Sequence, residues 1–214
     1  MTETEWLSAV DVDGMWEFLM SRFSEPGPID RKVQLFVAAC CEPLEKAVPP
    51  PFASLISLCE GRANNRAGRL QWGAAFQKAG LDADAGGILF AIDYDDYGLA
   101  CYLAARAIAS MNHKPESSGY TSAFRRERER QAILFREIAG NPFRPMSLDD
   151  QRPAPAHVQL AQAVYDGRTF DRMSELADAL EREGCASEEV LTHCRGPGPH
   201  VRGCWVLDLI LGKA

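Results

Sequence analysis

The chain is expected to be all-α, an irregular multi-helix bundle or array of about ten short-to-medium helices, and three observations predict it. Apolar residues recur at spacings of three and four, as in Val33, Phe36, Val37, Cys40, Leu44 and Val48, which is the period of a helix with one buried face. Residues that cap or stop helices bracket these stretches, with aspartate or serine before them and glycine or proline after. The run that could pass for a strand, GGILFAI ending at Ile92, is too short for periodicity to decide. Nothing nearby offers it a strand partner, so helix is the expectation there too.

In chain order, residues 3–10 can form a short helix. Asp13 reads as the N-cap of a second, carrying Met15, Trp16, Phe18, Leu19 and Phe23. Pro26, Gly27 and Pro28 stop it, and Asp30 caps the long amphipathic helix that carries Cys40 on its apolar stripe with Cys41 beside it. Pro49, Pro50 and Pro51 end that helix. Residues 53–60 and 66–78 read as two further helices, rich in small side chains that suit close packing. A helix from about Asp96 places Leu99, Tyr102, Leu103 and Ala107 on one face. The polar segment 113–119 is the best internal linker. Thr121 or Ser122 begins a helix that Gly140 stops, and Asn141 to Pro145, NPFRP, forms a rigid turn. Val158, Ala161, Val164 and Tyr165 mark the next helix, ended by Gly167. Phe170, Met173, Leu176, Ala177 and Leu180 mark another. Ser187 starts a helix that runs to Arg195 with Gly196 as its cap, and His200 is expected to open the last one behind Pro199.

With 214 residues, the chain can bury a substantial core as one large domain or two small ones. A single helical domain over 1–214 is expected, with 113–119 as the point where it would subdivide. The formal net charge of -7 offers no electrostatic reason for a nucleic-acid or anionic-membrane partner. The longest apolar run, Cys204 to Leu211, contains Asp208 and is well short of the roughly 18 residues that span a bilayer. The first residues lack a basic segment leading into an apolar one, so a cytoplasmic protein is expected. Seven cysteines, an odd number, fit free thiols or metal ligands better than a disulfide framework.

Residues 184–213, GCASEEVLTHCRGPGPHVRGCWVLDLILGK, are the densest in groups able to do chemistry. His193 and Cys194 close one helix, the Gly-Pro-Gly-Pro turn folds back, and His200 and Cys204 would share a face if both were helical. These four are the candidate metal ligands, with Cys40 or Cys41 able to complete a tetrahedron, and zinc is the metal that such soft and borderline donors prefer. The chain has no CxxC pair, so the spacing matches none of the established zinc signatures. Free cysteines are also common as small buried hydrophobes. A second chemistry makes Cys194 a nucleophile with His200 or His193 as base, although the C-terminal end of a helix opposes a thiolate.

Asp208 is the one charge in CWVLDLILG. If buried it needs a partner, for which Arg195, Arg202 and Arg144 are the candidates. In RRERER, from Arg125 to Arg130, glutamates alternate with arginines, and the pairs Glu127–Arg130 and Arg125–Glu129 suit a solvated helix face. The acidic stretch from Asp82 to Asp96 lacks calcium-loop spacing. There is no phosphate-binding glycine loop, GxSxG or HExxH.

Trp6-Leu7, Arg31-Lys32 leading into LFVAACC, GNPFRP, LAQAVYDGRTFDRMSELADALEREGC and HCRGPGPHVRGCWVLDLILGK together resemble a family of uncharacterised proteins present in many copies in planctomycete bacteria. Residues 49–118 match it only as a region rich in small side chains. The family usually has basic residues after the paired cysteines, where this chain has Glu42 and Pro43. The resemblance implies a bacterial cytoplasmic protein and carries no activity, catalytic residue or cofactor. With no complete catalytic motif, the leading functional reading is a non-enzymatic helical interaction or scaffold module with a protein partner, and Trp205 is expected to be the buried keystone of its last helix. The alternative is a zinc-binding protein or metal-dependent hydrolase using His193, Cys194, His200 and Cys204.

Overall fold

The structure, a computed structural model, describes residues 1–22, 28–47, 49–64, 83–93, 96–146 and 154–213. Among these residues it is all-α, with eleven α-helices, one 3-10 turn and no strand. The helix expected over 66–78, together with Phe23, Pro26, Gly27 and Val48, lies outside the described residues. The fold forms two compact units, Met1–Phe135 and Arg136–Ala214, and the polar segment 113–119 lies inside the first.

The first unit begins with α1 (Glu3–Ser8) and α2 (Val12–Met20). A capping box between Thr2 and Glu5 starts α1. Asp11, not Asp13, caps α2: its carboxylate accepts the N–H groups of Asp13 and Gly14, and Asp13 sits inside the first turn. The long α3 (Pro28–Ala47) starts two residues before Asp30. It buries Val33, Phe36, Val37, Cys40 and Leu44 as its period requires, and also Leu35, Ala38, Ala39 and Cys41, so it is enclosed on nearly every side. The three prolines open α4 (Pro49–Ala63) rather than sit in a connector, because a first-turn proline gives up an N–H that has no intrahelical partner in any case.

Residues Ala83–Asp93 form a helix, α5, and Asp96 caps α6 (Tyr97–Ser110) by accepting the Leu99 N–H. The buried face of α6 differs from the expected one. Ala100, Cys101, Ala104 and Ala105 are buried while Leu99 and Tyr102 are exposed, since small side chains let α6 approach α3 and α5 closely. The helix α7 (Ser118–Ala139) starts three residues before Thr121, with the Ser117 hydroxyl accepting the Tyr120 N–H. Both pairs expected in RRERER are present, but they differ in setting. Arg125–Glu129 is solvated, whereas Glu127 is buried, and Arg130 binds both its carboxylate and the Cys40 carbonyl. Phe135 is the aromatic hub of the unit, in ring contact with Trp6, Trp16 and Phe36.

The second unit takes the last residues of α7, which ends at Gly140 with φ +73. It continues with α8 (Pro155–Gly167), a 3-10 turn (Phe170–Arg172), α9 (Met173–Arg182), α10 (Glu188–Arg195) and α11 (Trp205–Leu211). The left-handed residue closing α8 is Arg168, one position after the glycine expected to end it. On α9, Met173, Leu176, Ala177 and Leu180 face a core shared with Val164, Tyr165, Val190, Leu191, Leu207 and Ile210. Ser187 caps α10 through the Val190 N–H, as its position predicts. No helix among the described residues is long and apolar enough to cross a membrane.

Candidate metal centre

The loop between α10 and α11 determines where the chemistry sits. Gly198 has φ +80 and Gly203 φ +92, a left-handed conformation that side-chain-bearing residues adopt at a cost. A Cβ on Gly198 would lie 2.8 Å from the His200 backbone nitrogen. With Gly203 in that conformation, residues 200–204 cannot continue a helix. The final helix therefore opens at Trp205, and His200 and Cys204 are loop residues rather than neighbours on one helical face. They converge all the same, because the turn wraps His200 back and Cys204 closes it through a bond from its N–H to the Val201 carbonyl, 3.0 Å.

Three of the four expected ligands meet here. His193 on the last turn of α10, His200 in the loop and Cys204 before α11 surround Glu137, which comes from α7. One ligand atom from each of the four lies within 4.8 Å of all the others. His193 Nε2 is 3.3 Å from Glu137 Oε2 and 3.3 Å from Cys204 Sγ, and His200 Nδ1 is 3.1 Å from Glu137 Oε1. The Trp205 indole N–H donates to His193 Nδ1 at 3.2 Å. The Glu137, His200 and His193 side chains are 5%, 7% and 18% exposed, so solvent is nearly shut out.

The electrostatics follow from this packing. Burial opposes ionisation of Glu137, but hydrogen bonds from His193, His200 and Cys204 outweigh it and hold the carboxyl below its usual range. Burial likewise disfavours a charged His200, yet the bond to Glu137, its negative charge and the Gly196 carbonyl carry the ring above its usual value. Burial and the Glu137 charge push the Cys204 thiol well above the ordinary range. A buried thiol beside a carboxylate ionises readily only against a cation. His200 Nε2 is buried without a hydrogen-bond partner of good geometry.

Cys194 does not join this group. It faces the apolar core and an open cavity of about 250 Å³ lined by Phe170, Met173, Ser174, Pro197 and His200 among others. Adjacent residues on a helix point in different directions, so His193 and Cys194 cannot serve one centre. Burial, then the Glu137 charge, push the Cys194 thiol up to about 12, which is opposite to what a nucleophile requires. Both histidines are engaged elsewhere. Cys40 and Cys41 belong to α3 of the first unit, buried alongside Cys59 and Cys101, and are outside the four-residue group. Asp208 is fully buried, as expected. Of its candidate partners, Arg195 binds Asp178 and Glu181, and Arg202 holds the Tyr165 and Asp166 carbonyls. Trp205 is half-buried rather than enclosed, packed against the core edge and beside Gly140.

Glu137 is the residue that sequence reasoning missed. Its signal was a carboxylate next to the apolar residues Leu134, Phe135 and Ile138, all of them buried. No protein-family model, curated protein or solved structure matches the chain.

Proposed function

We propose that the second unit binds one divalent metal ion, zinc by preference, and uses it as a structural clamp. The observation that carries this reading is the convergence of Glu137, His193, His200 and Cys204, four residues of three ligand types drawn from α7, α10 and the following loop. Zinc bonds of 2.0–2.3 Å at tetrahedral angles need donor-to-donor edges of about 3.3–3.7 Å, which the four ligand atoms, all within 4.8 Å of one another, reach by moving inward. Imidazole, thiolate and carboxylate together suit zinc, whereas calcium and magnesium take oxygen alone.

Four protein ligands fill a tetrahedron and leave no position for a substrate or a reactive water. The neighbouring cavity reaches His200 but is not lined by the other three residues. A closed site of this kind favours a structural role over hydrolysis, and it is compatible with the scaffold reading of the helical array. Exposed Phe90, Leu99 and Tyr102 on α5 and α6 favour a protein partner as a second element of that reading. Its test is whether replacing Phe90 and Tyr102 by serine lowers retention of a partner without changing the melting temperature.

For the metal, the test is elemental analysis of protein prepared without chelator, followed by zinc titration of the stripped protein. One zinc per chain, bound in competition with a chromophoric chelator, is the expected result. Zinc that washes off, or binding unchanged by His200→Ala, would overturn the reading.

A further inference from the structure

We infer that Trp205 regulates metal entry by holding His193 in the tautomer that cannot ligate, an inference that rests on the metal reading above. An indole nitrogen can only donate a hydrogen bond, and a neutral imidazole carries one N–H and one acceptor nitrogen. With Trp205 Nε1–H directed at His193 Nδ1 at 3.2 Å, the acceptor of the ring is Nδ1 and its proton is on Nε2. That nitrogen faces Glu137 Oε2 and Cys204 Sγ, both at 3.3 Å, and donates toward them. The arrangement is a closed relay in which Trp205 donates to His193, while His193 and His200 both donate to Glu137.

Nε2 is also the His193 nitrogen that faces the ligands Glu137 and Cys204. A metal needs its lone pair, so the ring must then carry its proton on Nδ1. Two N–H groups would confront each other across the Trp205–His193 contact. Metal loading through Nε2 therefore breaks that hydrogen bond and turns the indole or imidazole aside, with no net change in the proton count of His193. Trp205 is a positioning residue here. It stabilises the metal-free relay and opposes the metal-bound state, in contrast to the usual partner of a metal-bound histidine, which accepts from the ring and supports ligation. The two rings have the room to part, since Trp205 lies at the edge of the core and is half-buried.

The test uses the full chain, with zinc alone as probe. Trp205→Phe keeps an aromatic ring and removes the donor, and it is expected to bind zinc roughly two- to tenfold more tightly than the parent, the worth of one hydrogen bond that the metal no longer has to break. In the parent, the indole N–H resonance assigned by its loss in that variant is expected to shift on zinc addition, and the imidazole nitrogen spectrum of metal-free protein is expected to show His193 protonated on Nε2. Should zinc bind the parent while Trp205→Phe binds equally or more weakly, or the indole resonance stay in place, the inference is wrong and the metal site stands. Absence of zinc binding in parent and variant alike overturns both. A metal-free His193 protonated on Nδ1 overturns the inference alone, whether or not the variant folds.

Discussion

The four cysteines described in the first unit and Cys204 of the second meet opposite surroundings. In the first, Cys40, Cys41, Cys59 and Cys101 are all buried. Cys101 hydrogen-bonds Cys40, and that bond together with burial holds its thiol high. Arg130 and Glu127 lie near Cys41, but they bind each other and, through Arg130, the Cys40 carbonyl, so the thiols act as small hydrophobes. In the second, Cys204 is just as buried, but its neighbours are a carboxylate and an imidazole. Burial alone therefore says nothing about chemistry. Unlike donors brought together from separate parts of the chain mark a site, and a count of cysteines does not.

The largest consequence of that contrast is a unit-specific response to metal. Zinc at about a thousandfold over its dissociation constant adds about 4 kcal/mol to whatever folds around it. Amide exchange is expected to slow over 136–213, above all in α10, the loop and α11, and to stay unchanged over 1–135. Uniform slowing would erase the distinction between the two units.

A smaller effect comes from the loop. Gly198→Ala places a side chain at φ +80 and against the His200 backbone, at a cost of about 1–2 kcal/mol. Lower stability and weaker zinc binding are expected together, although no ligand is altered; chemical denaturation with and without zinc measures both. The smallest effect is expected at Arg195, whose pairs with Asp178 and Glu181 are exposed and screened. Arg195→Ala should leave melting and zinc affinity unchanged within error. A clear loss of zinc binding there would mean that α10 is held by its surface as well as by its core.

Much of this architecture was legible from the chain. Periodic stretches located α3, α6 and α9, and Ser187 marked the start of α10, because the amphipathic period and an N-cap serine are local signals, whereas Asp30 lies inside α3 rather than at its cap. The errors have physical causes. On α6, Leu99 and Tyr102 looked like the buried face, but Ala100, Ala104 and Ala105 let the helices approach, and close approach outweighed side-chain size. At the site, His193, His200 and Cys204 were visible because they lie within a dozen residues of one another. Glu137 was not, since it lies 63 residues from His200 in a helix whose preceding charges read as solvated. Cys194 was nominated by adjacency to His193, which a helix turns into divergence. The Trp205–His193 contact had no sequence signature, since it depends on the fold of the loop between them.

The central claim is that Cys204, and not simply any buried thiol, binds metal. Zinc affinity measured by competition titration on Cys204→Ala and Cys101→Ala, side by side with the parent, tests it most directly. Removal of a ligand is expected to cost at least the roughly hundredfold that loss of a ligand's supporting contacts can cost, so Cys204→Ala should lose zinc while Cys101→Ala keeps the parent's affinity and one-to-one stoichiometry. Equal affinity in the two variants, or loss in Cys101→Ala alone, would contradict the account.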